Sequence, residues 1–101
     1  MNEVGPLHIP FEELAHFCRQ YQVRELALFG SMLRQDRRPE SDVDLLVSFQ
    51  PAAWVTFLTL ARMQRELEIL LGRKVYLVLK DGLKPLIRAH ILATAQVLYA
   101  A

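Results

Sequence analysis

Two aspartates, one residue apart, are the residues of this sequence best suited to chemistry. Asp42 and Asp44 stand at the head of the apolar run LLVSF. Residues i and i+2 of a strand point to the same face about 6.6 Å apart, so the pattern predicts two neighbouring carboxylates. Like charges at this spacing repel unless a cation lies between them. Such oxygen ligands suit Mg²⁺, which takes one or two carboxylates and completes its shell with water and substrate phosphate.

A glycine and a serine could provide the complementary half of such a site. Gly30 and Ser31 follow the apolar run ELALF, where a strand is expected to end. Glycine lets a phosphate approach the backbone closely, and a serine hydroxyl together with the first N–H groups of a helix can bind phosphate oxygens. A phosphate-binding segment next to a metal-binding pair of carboxylates predicts a site for a nucleoside triphosphate. The expected chemistry is transfer of a group at a phosphorus atom.

Each half also has an ordinary structural explanation. A Gly-Ser pair after a strand is commonly a turn and a helix cap, and an Asp-x-Asp pair near a turn is commonly solvated. The sequence contains both pairs, and the residues between them are enough to bring the chain back to the end of an adjacent strand. This combination favours a nucleotide site. From these residues alone, both interpretations stay open.

The elements that must position these residues alternate along the chain. The spacing of apolar residues predicts the following segments: a helix from Phe11, a strand over 23–29, a short helix capped by Ser31, a strand over 42–49, a long helix over 54–71, a strand over 73–79, a helix from Pro85 and an extended tail over 96–99. The stripe expected to be buried on the long helix is Phe57, Leu60, Ala61, Met63, Leu67, Leu70 and Leu71. This order indicates a single domain over residues 1–101 of the α/β (α+β) class, with helices against a small sheet.

Composition limits the classes of function. Twelve basic and eleven acidic residues give a net charge of +1, which disfavours nucleic-acid binding and attraction to an anionic membrane. The start of the chain lacks the features of a secretory signal, and the longest apolar stretch is about half of what a bilayer-spanning helix needs. We therefore expect a soluble cytoplasmic protein. The 52% hydrophobic content leaves apolar surface for a partner.

Several other residues could bind ligands but have simpler interpretations. The single cysteine, Cys18, is predicted to be a buried structural thiol. Arginines between the two halves of the motif could meet a phosphate or form a solvated basic loop; they are Arg34, Arg37 and Arg38. The histidines have no metal-site spacing and are interpreted as surface or packing residues; they are His8, His16 and His90.

The motif as a whole resembles that of a known family. Gly30-Ser31, ten intervening residues and Asp42-Val43-Asp44 resemble the Gly-Ser-x10-Asp-x-Asp motif of the minimal nucleotidyltransferases in the DNA polymerase beta superfamily. The segments LALFGS, RPESDVDLLVSF and GLKPLIRAHILATAQVLY are similar to that family as well. The resemblance implies a mixed sheet of three or four strands flanked by helices.

The resemblance also implies a reaction and a partner. Gly30 and Ser31 would contact the triphosphate, with Arg34 as a further nucleotide-binding candidate, and Asp42 and Asp44 would be catalytic carboxylates that hold two Mg²⁺ ions. The expected reaction transfers AMP from ATP to a protein or small hydroxyl acceptor. Many such proteins pair with an all-helical HEPN-type protein as the antitoxin of a toxin–antitoxin system, and a homo-oligomer is also compatible with the family.

One position departs from the family pattern. The third strand usually carries a third carboxylate, and here RKVYLV places Tyr76 at that position. A neutral phenol is a poor metal ligand or base at neutral pH, and loss of a general base typically costs on the order of 10² to 10⁴ in rate. Tyr76 could fill space on the strand or stack on a nucleotide base. Two hypotheses therefore stay open, namely an active nucleotidyltransferase and a degenerate module that acts by binding its partner.

Overall fold

A computed structural model describes residues 3–4, 7–30 and 42–101. The elements in chain order are β1 (Glu3–Val4), β2 (Leu7–His8), α1 (Phe11–Gln20), β3 (Val23–Phe29), β4 (Val43–Phe49), α2 (Phe57–Leu71), β5 (Val75–Leu79), a 3-10 turn (Lys80–Gly82), α3 (Pro85–Thr94) and β6 (Gln96–Ala100). The short helix expected after Gly30 lies outside the described residues.

Four of the strands form one mixed sheet. Its order is β5-β4-β3-β6, with β3 antiparallel to both β4 and β6 and with β4 parallel to β5. The predicted small mixed sheet is therefore confirmed, and the expected tail is its fourth strand. β1 and β2 form a separate antiparallel pair that the sequence pattern did not indicate.

The core lies on one face of this sheet. Alternate residues of β4 are buried in it, as predicted, because side chains of a strand alternate between faces. Helices α1 and α2 cover that face; the buried residues that they contribute are Leu14, Phe17, Cys18, Met63, Leu67 and Leu71. Cys18 is buried as expected, and burial raises the pKa of its thiol to about 12, against the lowering effect of Arg19. Its thiol therefore stays protonated near neutral pH.

Helix α2 begins later than its apolar pattern suggested. Thr56 caps it, because the Thr56 side chain accepts a hydrogen bond from the Thr59 backbone N–H and the Thr59 hydroxyl accepts one from the Thr56 N–H. The prediction that Phe57 belongs to the buried stripe is wrong, since Phe57 is 92% exposed. At about 100° per residue, Phe57 lies roughly 120° around the helix from buried Met63. Ala61, two residues before Met63, is exposed for the same reason.

Helix α3 is an exception to the expectation that the helices pack against the sheet. None of its residues is buried, although most of them are apolar. Leu86 is 89% exposed and Ile87 is also exposed. Among the described helices, none is long and apolar enough to cross a membrane.

Helix α2 has one buried face and one exposed face, and this difference gives a test of the fold. We expect Leu67→Ala to lower the free energy of unfolding by about 2 to 5 kcal/mol, because Leu67 is fully buried and its truncation leaves a cavity. Ile69→Ala is the matched control, since Ile69 is 78% exposed on the same helix and its truncation should change stability by no more than about 0.5 kcal/mol. Urea titration measures both values. Equal losses for the two variants would contradict this packing.

Candidate active site

The antiparallel pairing of β3 and β4 brings the two halves of the motif together. Phe29, the last residue of β3, is in register with Asp44, the second residue of β4. Gly30 therefore leaves the sheet beside Asp44. Asp42, which precedes β4, and Asp44 are both half-buried. Asp44 points away from the core because its neighbours Val43 and Leu45 are buried in it.

Gly30 and Asp44 are in direct contact. Gly30 has a φ of +80°, a backbone conformation that L side chains rarely adopt. A Cβ atom at Gly30 would lie 2.4 Å from Asp44 Oδ2 and 3.3 Å from Asp44 Cγ. A larger residue here would force the Asp44 carboxylate to move. The left-handed backbone and the aspartate fourteen positions later both favour glycine at this place, independently of any phosphate.

The parallel pairing of β4 and β5 places Tyr76 next to the aspartates. Asp44 and Tyr76 are register partners, and the Val43 N–H donates to the Lys74 carbonyl oxygen at 2.8 Å. Register partners of a sheet point to the same face. Tyr76 is 41% exposed on the face opposite the core, so the interpretation of Tyr76 as an aromatic that only fills space is not supported. Tyr76 lies beside Asp44, as expected if it stands where the family carries its third carboxylate.

Lys74 adds a positive charge to this group. Its Nζ lies 5.4 Å from the centroid of the Tyr76 ring. The pKa of Lys74 is raised above its ordinary value, first by a hydrogen bond with the Tyr76 side chain and the electrostatic effect of that side chain, then by the negative charge of Asp42. The amine therefore stays protonated near neutral pH. Sequence reasoning did not assign Lys74 to the site, although its spacing of two residues from Tyr76 is a signal that could have placed it on the same face of the strand.

Three further acids, Glu66, Glu68 and Asp81, have other contacts or positions. Glu66 accepts a hydrogen bond from the Tyr21 hydroxyl, between α2 and the end of α1. Glu68 accepts one from the Val75 N–H at 3.1 Å, at the start of β5. Asp81 lines a cleft at the opposite end of the sheet. Glu66 and Glu68 are therefore engaged in hydrogen bonds, and the charge of Glu68 also contributes to the raised pKa of Lys74.

That cleft is a second polar region that sequence reasoning did not identify. It measures about 480 Å³ and is lined by Arg24, Lys80 and Arg88 as well as by Asp81 and Glu25. Lys80 Nζ lies 3.1 Å from Glu25 Oε1, so one of these cations is already paired.

The carboxylate pair fits a hard divalent cation. Across residues 3–4, 7–30 and 42–101, no three His, Cys, Asp or Glu side chains are grouped as metal ligands. Two half-buried carboxylates suffice for Mg²⁺, which keeps several waters and takes further ligands from substrate phosphate. Ser31 and Arg34, together with Arg37 and Arg38, lie outside the described residues.

Comparisons with known proteins agree with this geometry. Residues 12–101 match the family model described as "Polymerase beta, Nucleotidyltransferase". "Protein adenylyltransferase MntA" of Thermococcus cleftensis is 40% identical over 64% of this chain, and the match spans just under two thirds, 64%, of that relative's length. A solved structure that carries the name minimal nucleotidyltransferase is 36% identical, with a TM-score of 0.69 over 84% of this chain and 85% of the other.

A more distant solved structure has the same fold. It is a chain of a toxin–antitoxin complex with AMP-PNP, 17% identical, with a TM-score of 0.72 over 92% of this chain and 75% of the other. At this identity the likeness concerns the fold alone. The fold of this chain is therefore that of the nucleotidyltransferases.

The contact between Gly30 and Asp44 can be tested without any ligand. We expect Gly30→Ala to lower the free energy of unfolding by more than the roughly 1 to 2 kcal/mol that a left-handed backbone costs an L residue, because the new Cβ also collides with the carboxylate. Gly72→Ala is the matched control, since Gly72 has a φ of +69° and its Cβ would meet nothing within 4 Å.

A double-mutant cycle isolates the collision. In an Asp44→Ala background the extra cost of Gly30→Ala should disappear, with a coupling energy of about 0.5 to 3 kcal/mol, while the cost of Gly72→Ala should stay the same. Chemical denaturation of the six proteins gives these energies. A coupling energy near zero between positions 30 and 44 would show that the contact does not shape the site.

Proposed function

Because this chain belongs to the polymerase beta nucleotidyltransferase family, we propose that it transfers AMP from ATP to a hydroxyl group of a protein acceptor and releases pyrophosphate. The family follows from the match over residues 12–101. The reaction is supported by the name of the Thermococcus cleftensis relative, a protein adenylyltransferase. The site lies at the end of the sheet where β3 ends and β4 begins.

The observation that carries the proposal is the contact of Gly30 with the Asp44 carboxylate. Gly30 lies directly beside the Asp44 carboxylate, which points away from the core and is half-buried. Glycine adopts this left-handed conformation without strain, so the backbone can pass close to the carboxylate at the end of β3. A carboxylate held beside Gly30 is what a preorganised site would require.

The roles of the residues follow from their chemistry. Asp42 and Asp44 would hold Mg²⁺, which when bound neutralises charge on the phosphate oxygens. The Ser31 hydroxyl and the Arg34 guanidinium would bind phosphate oxygens as a donor and a cation. Gly30 would leave space for the triphosphate next to Asp44. Lys74 adds a cation beside Asp42, where it would limit the repulsion between the two carboxylates before nucleotide binds.

We propose a helical protein of the HEPN type as the acceptor and partner. The support is the resemblance to minimal nucleotidyltransferases, together with the fold shared with a chain of a toxin–antitoxin complex. The exposed apolar residues of α3, such as Leu86 and Ile87, provide surface of the kind that a protein partner covers. On this proposal the chain acts as an antitoxin that modifies its partner, in the cytoplasm.

A specific observation favours a second candidate function. The position in register with Asp44 is Tyr76, and no third carboxylate joins the pair in the described part of the chain. A domain with this site could bind nucleotide weakly and neutralise its partner by binding alone. The two candidates differ in whether a label passes from ATP to the partner.

The test of the first candidate is transfer of label from α-labelled ATP with Mg²⁺ to a helical protein of the HEPN type. We expect Asp42→Asn and Asp44→Asn each to reduce transfer by at least about a hundredfold, because loss of a metal ligand removes several kcal/mol of charge stabilisation. Asp81→Asn is the matched control, since Asp81 lies in the cleft at the opposite end of the sheet and should leave transfer unchanged.

Two results would overturn this assignment. Transfer that survives Asp42→Asn combined with Asp44→Asn would refute the carboxylate site. Absence of transfer in the wild type, together with its appearance in Tyr76→Asp, would establish the second candidate, a lapsed enzyme that acts by binding.

A further inference from the structure

We propose that Tyr76 is itself an adenylyl acceptor, so that the chain transfers AMP from ATP to the hydroxyl of its own Tyr76. The inference rests on the proposed function, because it needs ATP bound beside Asp42 and Asp44. It goes beyond that function by assigning a modification site on this chain. It also gives the residue at the position of the missing carboxylate a chemical use.

The first observation is the place of Tyr76 in the sheet. Tyr76 and Asp44 are register partners on adjacent parallel strands, so their backbones are roughly 4.8 Å apart and their side chains share a face. A nucleotide bound at Asp42 and Asp44 would therefore have Tyr76 as its neighbour. β5 is the edge strand of the described sheet, and Tyr76 is 41% exposed, so the phenol is open to a ligand.

The second observation is the contrast with the other tyrosines. Tyr21 packs against the core and donates its hydroxyl hydrogen to Glu66. Tyr99, on β6, is also packed against the core. Tyr76 is thus the one tyrosine of the three in the sequence that lies on the same face as the carboxylate pair.

The third observation is the charge next to the phenol. Lys74 Nζ lies 5.4 Å from the centroid of the Tyr76 ring, and Lys74 also interacts with Asp42. A positive charge at this place stabilises the negative charge that develops on the phenol oxygen as it attacks. Proximity to a bound nucleotide supplies the rest of the advantage, because the acceptor does not have to be recruited from solution.

The step balances with ATP as the only co-reactant. Tyr76 Oη forms a bond to the α-phosphorus of ATP, and the bond from that phosphorus to the oxygen bridging to the β-phosphate breaks. Pyrophosphate leaves with the bond electrons, and the phenolic proton passes to water. The product is a phosphodiester between AMP and Tyr76, and no oxidation or reduction takes place.

The experiment is incubation of the purified chain alone with ATP and Mg²⁺, followed by intact mass measurement and peptide mapping. We expect a mass increase of one AMP per chain, located on Tyr76. Tyr76→Phe, which removes only the hydroxyl, should reduce the modified fraction to background. Tyr99→Phe is the matched control and should be modified like the wild type.

A second readout does not depend on turnover. Nitration of Tyr76 by tetranitromethane should be slowed several-fold by a non-hydrolysable ATP analogue with Mg²⁺, because the bound nucleotide would cover the phenol. Nitration of Tyr99 should not change. Equal nitration of Tyr76 with and without the analogue would overturn the inference, since the phenol would then not border the nucleotide.

The outcomes separate this inference from the proposed function. An unmodified wild-type chain, in a preparation that labels the helical partner, overturns self-modification and leaves the proposed function intact. Modification that persists in Tyr76→Phe also overturns it, since another residue would be the acceptor. A preparation that labels neither protein refutes both.

Discussion

The site depends on one steric constraint, the close approach of the Gly30 backbone to the Asp44 carboxylate. The antiparallel register of β3 and β4 produces this approach by setting Phe29 opposite Asp44. A shift of one residue in that register would turn Asp44 into the core and Leu45 out of it. Burial of Val43 and Leu45 therefore fixes where the carboxylate points, so the hydrophobic core determines the geometry of a polar site on the other face.

This division between the faces of the sheet explains how a small domain accommodates the carboxylates. Helices α1 and α2 cover one face, and in the described part of the chain no polar or charged residue is buried in the core. Asp44, Tyr76 and Lys74 stay partly or wholly in contact with solvent, where hydration offsets most of the cost of charge. The second strand pair, β4 with β5, then supplies a phenol and an ammonium beside the aspartates instead of a third carboxylate.

Sequence reasoning predicted local features well and long-range features poorly. The apolar runs ELALF and LLVSF were clear enough to locate β3 and β4. The mixed sheet was predicted from the resemblance to the family. The pattern could not show that Phe57 faces solvent. The first residue of a helix is known from sequence only to within one or two positions, so an apolar residue near that point can be assigned to the buried stripe by mistake. The group formed by Lys74 and Asp42 depends on parallel pairing of β4 with β5, which no local signal specifies. Likewise, nothing local indicates that α3 would stay unpacked.

The proposed function requires that Asp42 and Asp44, held beside Gly30, bind nucleotide through a divalent cation. The most direct measurement is the affinity for a non-hydrolysable ATP analogue, by isothermal titration calorimetry, with Mg²⁺ and with a chelator. We expect binding in Mg²⁺ that is lost in the chelator and also lost in the combined Asp42→Asn and Asp44→Asn variant. Binding of equal affinity in the chelator, or in that variant with Mg²⁺, would contradict it.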